Sequence, residues 1–432
     1  MIWNERHECM DRAALAGWQS DKLSLLIERV YARVPFYKKK MDAAGVKPKD
    51  IKSIKDIARL PFTDKAELRD VYPYGLLATD ISAIVEVHAS SGTTGKPVVD
   101  AYTQADLDLW GEVMARTLSV GGTGRHDIVQ NAYGYGLFTG GFGVHYGART
   151  IGAMVIPISG GNTQRQITVM RDFKSTILTC TPSYALYLAE AAREHGLDPA
   201  HCALKAGFFG AEAWSESMRK EIEKKLRLKA YDIYGLTEII GPGVAAECEH
   251  QHGLHINEDH FYPEIIDPRT GKHVHPGEKG ELVITKLTKE GTPIIRYRTR
   301  DITCLMEAPC ACKRTLRRMH RLFGRTDDML IIRGVNVFPS QIEEVLLKLE
   351  GIEPHYQLVV ERKDNLDCLE VRVEMSARTF SDEIQHMEQF EHAIEHALYG
   401  GLGIRIKATL VEPKSIERSE GKAKRIIDKR RI

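Results

Sequence analysis

Short apolar stretches alternate with longer amphipathic stretches between residues 104 and 234. The short stretches predict buried strands, and the apolar residues spaced three and four apart predict helices. The predicted helices are 104–119, 136–152, 162–173, 183–195 and 214–227, and the predicted strands are 127–131, 153–158, 176–180, 205–209 and 229–234. This alternation predicts an α/β domain in which helices cover a parallel sheet, and such sheets bind ligands at the carboxyl ends of their strands.

Other patterns lie on both sides of this region. Residues 15–34 have helical spacing and predict an amphipathic helix. Past Glu238, short strands such as 261–266 and 281–287 predict a small antiparallel unit. From Asp328 onwards the sequence predicts a compact α+β module. Its predicted elements are helix 339–349, strands 356–361 and 368–375, helix 381–398 and strand 404–411.

The composition argues against several classes of partner. The chain has 60 basic and 59 acidic residues and a net charge of +1, so no global field attracts nucleic acid or an anionic membrane. The amino terminus is polar and no run of eighteen apolar residues occurs, so we expect a cytoplasmic protein with no membrane segment. Eight cysteines in such a chain indicate a reducing compartment, where clustered cysteines favour metal binding over disulfides.

A loop rich in glycine and hydroxyl side chains follows the apolar stretch 84–89. Its residues are Ser90, Ser91, Gly92, Thr93, Thr94, Gly95 and Lys96. Glycines let backbone N–H groups approach an anion, and a lysine adds a point charge, so the loop is a candidate phosphate site. It is not a Walker loop, because the glycines are too close together and Pro97 stands where that motif has a hydroxyl. Alone, such a cluster is more often an ordinary solvated loop than a phosphate site.

Four further motifs follow in a fixed order. They are Tyr234–Glu238, Tyr297–Asp301, Gly324–Asp328 and Gly421–Arg425. Together with the loop they resemble the adenylate-forming superfamily of acyl-CoA synthetases, carrier-protein adenylation domains and luciferases, over nearly the whole chain. Within it, the segments 34–37, 257–261 and 331–339 are similar to those of the phenylacetate-CoA ligase family.

The resemblance implies a fold, a reaction and its cofactors. The expected fold is a large amino-terminal domain, residues 1–326, with parallel helix-covered sheets and a small antiparallel unit. A small mobile α+β domain, residues 327–432, follows after a hinge at Asp327. The expected reaction uses ATP and Mg²⁺ to convert a carboxylic acid into an acyl-adenylate and transfers the acyl group to coenzyme A. A homodimer is compatible with the sequence.

The resemblance also assigns nucleotide contacts. Residues Ser90 to Lys96 would close over the β- and γ-phosphates, and the ring of Tyr234, which precedes Gly235, would stack on adenine. Asp232 would accept from the adenine amino group, and Asp301 would accept from the ribose hydroxyls. The remaining expected nucleotide contacts are Gly210, Ala211 and Glu212 in the adenine-edge loop, and Arg325 at the domain junction.

Three residues carry the expected catalysis. Thr237 would donate to the α-phosphate, Glu238 would hold Mg²⁺ through a carboxylate oxygen, and Lys422 would bring positive charge to two reacting anions. Lys424 is the rival to Lys422, but the spacing to Arg425 favours Lys422.

The glycine-rich stretch 131–141 is a candidate pocket for the acid. Its rings, Tyr135 and Phe138, suit a flat aryl group, because glycines leave room and rings stack on rings. Core aromatics beside a helix start are the alternative interpretation.

Cysteine and histidine residues suggest a second metal. Cys310 and Cys312 stand one residue apart, and Cys248 with His255 lies in an earlier segment, a set that can form a Cys₃His zinc site. His250 and His252 are alternatives to His255, which begins an apolar-alternating segment where a strand could hold its ring. Both segments flank the predicted antiparallel unit, which a structural zinc would pin to the main domain. The alternative is a set of unpaired thiols and solvated histidines.

Two classes of rival function stay open at this stage. The first keeps adenylate formation but changes the acid to another aryl acid, or changes the acceptor to a carrier protein. The second is a non-catalytic nucleotide-binding protein with the same fold. Glu238 and Lys422 argue against the second class, because binding alone needs neither.

Overall fold

The structure, a computed structural model, describes residues 1–90, 96–198, 201–332, 335–363, 366–375 and 384–430. Its α-helices are α1 (Glu5–Glu8), α2 (Arg12–Arg33), α3 (Pro35–Ala43), α4 (Lys65–Asp70), α5 (Gln104–Ser119), α6 (Thr139–Ile151), α7 (Thr163–Asp172), α8 (Pro182–Glu194), α9 (Glu216–Leu226), α10 (Pro339–Leu346) and α11 (Ile384–Leu402). Among the helices within these ranges, none is both long enough and apolar enough to cross a membrane.

The strands follow the same chain order. They are β1 (Glu86–Ala89), β2 (Val99–Tyr102), β3 (Ile128–Asn131), β4 (Met154–Ile156), β5 (Ile177–Cys180), β6 (Ala206–Phe209), β7 (Lys229–Leu236), β8 (Gly241–Glu247), β9 (Leu254–Ile256), β10 (Phe261–Ile266), β11 (Gly280–Lys286), β12 (Tyr297–Thr303), β13 (Leu305–Met306), β14 (Arg318–Met319), β15 (Gly324–Arg325), β16 (Leu330–Ile332), β17 (Val335–Val337), β18 (Ile352–Lys363), β19 (Leu366–Met375), β20 (Lys407–Val411) and β21 (Ile426–Asp428).

The largest sheet has the strand order β13-β14-β9-β8-β7-β6-β5-β3-β4. Its half from β7 to β4 is parallel, and helices connect the strands as the alternation predicted. Ile177 to Cys180 in β5 and Ala206 to Phe209 in β6 are all buried. Strands covered on both faces read as continuous apolar runs, and this is why the sequence revealed them. The predicted α/β class with a parallel, helix-covered sheet is confirmed.

The antiparallel part is larger than the sequence indicated. The predicted unit exists as a separate sheet with the order β10-β11-β12-β15. The strands β8, β9, β14 and β13, however, extend the large sheet in antiparallel fashion beyond β7. The segments with the clustered cysteines and histidines therefore lie at the antiparallel edge of the large sheet. Strand pairing is a long-range choice that the local apolar pattern does not encode.

The carboxy-terminal module forms a sheet with the order β20-β19-β18-β21, against which α10 and α11 pack around a core of their own. Strand β21 was not predicted from the sequence. It pairs parallel to β18, with Ile426 opposite Leu358. The tail that carries Gly421–Arg425 therefore enters this sheet and is not a free basic segment.

A buried ion pair joins α5 to the segment after β9. Arg116 Nη1 and Nη2 each lie 2.9 Å from a carboxylate oxygen of Asp259, and both side chains are buried. Trp18 Nε1 on α2 donates to Asp259 O at 3.0 Å. Burial alone would raise the pKa of Asp259, but His260, His7 and Arg116 hold it well below its usual range. The segment 257–261, which is similar to a family segment, therefore has a structural role in this protein.

Asp259→Ala tests that role. The substitution removes the carboxylate that pairs with Nη1 and Nη2 of the buried Arg116 and leaves only the carboxylate of Glu112, on Nε, so we expect the free energy of unfolding to fall by about 3–5 kcal/mol. Urea denaturation followed by tryptophan fluorescence measures the change. The control is Asp172→Ala, which removes the exposed Arg171–Asp172 pair and should change stability by less than about 1 kcal/mol. Similar losses in both variants would contradict the assigned role.

Candidate active site

The candidate residues converge at one edge of the large sheet. Strands β5, β6 and β7 run parallel and end at Cys180, Phe209 and Leu236. Thr181 follows the first, Gly210–Glu212 follow the second, and Thr237 with Glu238 follow the third. Because parallel strands end at the same edge, three segments distant in sequence meet there, where such sheets bind ligands.

A hydrogen-bonded triad joins three of the predicted nucleotide residues. Tyr234 Oη donates to Asp301 Oδ2 at 2.6 Å, and Arg325 Nη1 donates to Asp301 Oδ1 at 2.7 Å. Asp301 on β12 and Arg325 on β15 lie opposite each other in the antiparallel sheet. Burial raises the pKa of Asp301, and the charge of Arg325 opposes that rise. Arg325 Nε and Nη2 also donate to the two carboxylate oxygens of Asp327, at 2.9 and 3.1 Å. The triad therefore extends to the predicted hinge.

Asp232 lies on the same strand as Tyr234 and is also buried. Burial raises its pKa, and the nearby carboxylate of Glu247 raises it further. The guanidinium of Arg321 lies 3.7 Å from Asp232 Oδ2 and partly offsets both effects. Sequence reasoning missed Arg321, because it belongs to no motif and reaches the site only through the fold.

Thr237 and Glu238 lie close to residues from distant parts of the chain. Thr237 Oγ1 lies 3.3 Å from Thr139 Oγ1 at the start of α6. Lys65 Nζ lies 2.9 Å from the buried Glu238 Oε1, an oxygen that accepts no hydrogen bond of proper geometry among the described residues. Lys65 was also missed, because nothing in its local sequence distinguishes it from other surface lysines.

The carboxy-terminal tail contacts the same edge of the sheet. Thr181 Oγ1 donates to Gly421 O at 2.9 Å, and the Ala423 N–H donates to Glu212 Oε2 at 2.9 Å. The other carboxylate oxygen of Glu212 accepts from the Ser183 N–H at 2.8 Å. Lys422 lies between these two attachment points with an exposed side chain. The structure thus brings the tail lysine to the edge that carries Thr237 and Glu238.

Neighbouring tail residues explain the spacing of the motif. Arg425 donates to Glu343, to Tyr356 Oη at 3.0 Å and to Ser183 Oγ at 3.1 Å. Glu420 Oε1 accepts from Thr163 Oγ1 at 2.9 Å. Arg425 and Glu420 therefore anchor the tail on either side of Lys422, whereas Lys424 is exposed and lies next to the anchor.

The candidate phosphate loop connects the antiparallel strands β1 and β2. Its residues Ser91, Gly92, Thr93, Thr94 and Gly95 lie outside the described residues. Ser90 Oγ accepts from the Val98 N–H at 2.9 Å, which closes the base of the loop. Lys96 Nζ lies 5.9 Å from the centroid of the Tyr72 ring. The chain therefore passes from β1 to the antiparallel strand β2 after this stretch, whereas a Walker loop leads into a helix.

The candidate acid pocket contains a group of aromatic side chains after β3. Tyr135 is half-buried, its Oη accepts from Asn131 Nδ2 at 2.7 Å, and its ring meets that of Phe142 edge-on at 5.2 Å. Burial raises the pKa of Tyr135 to about 12, so its hydroxyl stays protonated. Phe138 is 44% exposed at the start of α6. Phe142, on the same helix, adds a ring that the sequence analysis did not select.

The four predicted zinc ligands form one cluster. The ligand atoms of Cys248, His255, Cys310 and Cys312 all lie within 4.8 Å of one another. This cluster lies at the antiparallel edge of the large sheet, away from the residues that follow β5, β6 and β7.

Two family models and several proteins of known function match this chain. The model described as AMP-binding enzyme matches residues 16–288, and the model described as AMP-binding enzyme C-terminal domain matches residues 334–430. The chain is 48% identical to the phenylacetate-coenzyme A ligase of Escherichia coli (strain K12), over 100% of this chain and 99% of that protein. It is 46% identical to the phenylacetate-coenzyme A ligase of Thermus thermophilus, over 100% of both.

Solved structures of one ligase match in two arrangements. The 2-hydroxyisobutyryl-CoA ligase in its postadenylation state matches with a TM-score of 0.94 and 31% identity, over 99% of this chain and 92% of that chain. The same ligase with coenzyme A in the thioesterification state matches with a TM-score of 0.73 and 32% identity, over 98% and 91%. The present arrangement is therefore similar to the postadenylation arrangement of that ligase.

Gly235→Ala tests why the strand before Thr237 contains a glycine. A Cβ atom at Gly235 would lie 1.9 Å from Gly241 O, so β7 and β8 would have to separate. We expect a loss of stability of about 1–3 kcal/mol, measured by urea denaturation. Gly124→Ala is the control, because its Cβ atom would meet no atom within 4 Å. Equal stability of the two variants would show that the close approach of β7 and β8 is not a constraint.

Proposed function

The chain belongs to the phenylacetate-coenzyme A ligase family of AMP-binding enzymes, and we propose that it activates phenylacetate or a close arylacetic acid with ATP. In the first half-reaction a carboxylate oxygen attacks the α-phosphorus, and the bond from that phosphorus to the bridging oxygen breaks. The products are the acyl-adenylate and pyrophosphate. In the second, the sulfur of coenzyme A attacks the acyl carbon, the thiol proton passes to solvent, and AMP leaves.

The observation that carries this proposal is the attachment of the tail to the edge of the sheet. Glu212 and Thr181 hold the backbone on both sides of Lys422, next to the strand ends that carry Thr237 and Glu238. A reaction between a carboxylate and a polyphosphate brings two anions together, so a cation placed at that edge lowers the repulsion in the transition state. A protein that only binds a nucleotide has no need for such an arrangement.

The nucleotide would contact the hydrogen-bonded triad of Tyr234, Asp301 and Arg325. We assign stacking on adenine to the Tyr234 ring, a hydrogen bond from the adenine amino group to Asp232, and the ribose hydroxyls to Asp301. An ionised carboxylate offers about four acceptor positions, so Asp301 can accept from ribose while it holds Tyr234 and Arg325. Gly210 and Gly235 keep the backbone beside these residues closely packed, because Cβ atoms there would lie 2.3 Å and 1.9 Å from backbone oxygens.

Glu238 is suited to hold Mg²⁺. Its Oε1 is a buried, hard oxygen without a proper hydrogen-bond donor among the described residues, which is the type of ligand that Mg²⁺ prefers. Bound Mg²⁺ would supply positive charge to the phosphate oxygens. Lys65, whose Nζ lies 2.9 Å from the same oxygen, orients the carboxylate.

The acid would lie against the aromatic side chains after β3. Tyr135 is fixed by Asn131 and Phe142, so its ring offers a rigid flat surface to an aryl group. Phe138 adds an exposed ring at the start of α6. Transfer to coenzyme A, and not to a carrier protein, is supported by the family to which the chain belongs.

We divide the chain into residues 1–326 and 327–432, with a hinge at Asp327. Adenylation needs the tail with Lys422 at the edge of the large sheet. Thioester formation needs coenzyme A at the same edge, which the tail covers in the present arrangement. The two TM-scores, 0.94 and 0.73, support two arrangements of the same units. A rotation of one unit relative to the other would break the two hydrogen bonds between Arg325 and Asp327.

Lys422→Ala should separate the two half-reactions. Loss of the cation should slow adenylate formation about 100- to 1,000-fold, measured as pyrophosphate release. Thioester formation from supplied phenylacetyl-adenylate should remain within about threefold of the native rate, about 0.7 kcal/mol. The control Lys424→Ala removes a neighbouring exposed lysine and should leave both rates nearly unchanged. Equal loss of both half-reactions in Lys422→Ala would indicate destabilisation instead of a direct role.

A panel of acids tests the substrate. Phenylacetate should give faster pyrophosphate release than benzoate, indoleacetate or hexanoate, and mass spectrometry should detect phenylacetyl-CoA only when coenzyme A is present. The reason is the rigid aryl surface at Tyr135. A preference for hexanoate of more than about tenfold, or about 1.4 kcal/mol, would disprove the pocket assignment. Adenylate formation without transfer to coenzyme A would instead indicate another acceptor.

A further inference from the structure

We infer that Cys248, His255, Cys310 and Cys312 bind a structural zinc ion, separate from the proposed reaction. A tetrahedral site with Zn–S bonds near 2.3 Å and Zn–N bonds near 2.0–2.1 Å places two sulfurs about 3.8 Å apart and a sulfur and a nitrogen about 3.6 Å apart. Cys248 Sγ and Cys310 Sγ are 3.6 Å apart, and Cys312 Sγ is 3.3 Å from His255 Nε2. All four ligand atoms lie within 4.8 Å of one another, so a small contraction completes the tetrahedron.

The sheet brings the ligands together from two distant segments. Cys248 directly follows β8, and His255 lies in β9, the next strand of the same hairpin. Cys310 and Cys312 lie in the loop between β13 and β14, and β14 pairs with β9 so that Arg318 lies opposite His255. Backbone pairing therefore fixes the distance between the segments before any metal binds.

The surroundings of the ligands are those of a metal site. His255 Nδ1 lies 3.2 Å from Leu316 O. A hydrogen bond donated there leaves the lone pair of Nε2 directed at the cluster, which is how ligating histidines are usually oriented. The backbone N–H groups of His250 and Arg314 donate to the sulfurs of Cys248 and Cys312. Such backbone donors orient the sulfur ligands of a metal site.

The local charge also balances. Three thiolates and a neutral imidazole around Zn²⁺ leave a net charge of −1, and three thiol protons pass to solvent when the metal binds. The buried guanidinium of Arg314 interacts with the Cys312 sulfur and lies beside this charge. Arg314 also donates to Glu8 Oε2 and to Met1 O, each at 2.6 Å. The site thus connects the sheet edge to the amino-terminal segment.

The donor set favours zinc in a structural role. Soft sulfur ligands select zinc over Mg²⁺ or Ca²⁺, and four protein ligands leave no position open for water or substrate. A disulfide needs sulfurs about 2.05 Å apart, much closer than the 3.6 Å between Cys248 and Cys310. The metal would hold the loop that leads through β14 to Arg321, and Arg321 contacts Asp232.

Elemental analysis of the purified full chain, prepared without a metal-binding tag and with a thiol reductant, tests the site. We expect about one equivalent of zinc per chain. Cobalt substitution should give the intense thiolate absorption and visible bands of a tetrahedral site. A zinc chelator should lower the melting temperature of the native protein by about 5 °C or more, and added Zn²⁺, but not Mg²⁺, should restore it.

The double variant Cys310→Ser with Cys312→Ser should contain no zinc and melt at a lower temperature. Cys202→Ser is the control, because Cys202 is a half-buried free thiol outside the cluster and should leave metal content and melting temperature unchanged. If the double variant fails to fold, the chelator experiment on the native protein decides. The inference is overturned by native protein that takes up no zinc, by iron in its place, or by a disulfide between Cys248 and Cys310 seen in the intact mass.

Discussion

The carboxylate of Glu212 is one of the groups that connect the carboxy-terminal tail to the large sheet. Glu212 follows β6 and accepts the Ser183 N–H with one oxygen and the Ala423 N–H with the other. An ionised acceptor of two backbone donors makes stronger hydrogen bonds than a neutral group. Both bonds can be broken without loss of the core, because each side of the contact has its own hydrophobic core. The contact that places Lys422 at the sheet edge therefore lies outside both hydrophobic cores.

Buried ion pairs hold the surrounding framework in one arrangement. Arg116 with Asp259, Arg219 with Glu247 and Arg296 with Glu264 are each nearly inaccessible to solvent. Such pairs add little net stability, but leaving one partner alone costs several kcal/mol. Any alternative packing that separates the two residues of a pair is therefore higher in free energy. The second pair also supports strand β7, because Glu247 accepts from the Asp232 N–H at 2.8 Å.

Local patterns predicted the parallel strands and the helices between them, and the structure confirms them with shifted ends. Helix α5 has the predicted bounds Gln104–Ser119, while α6 begins at Thr139, because the residues before it form the turn that carries Tyr135. Close backbone contacts require glycine at positions 235 and 210, so a local signal in the sequence marks both positions. Lys65 and Arg321 had no such signal, since only the fold places them near Glu238 and Asp232.

The sequence by itself determined the class of fold and the family, and it supplied the candidate residues for the chemistry, since these depend on apolar periodicity and short motifs. Only the tertiary structure decided which strands pair. It extended the large sheet through β8, β9 and β14, which brought His255 to Cys312, and it added β21, which fixes the tail near Thr181. These are contacts between residues far apart in the chain. Their free energy depends on the whole packed arrangement, and no local pattern contains it.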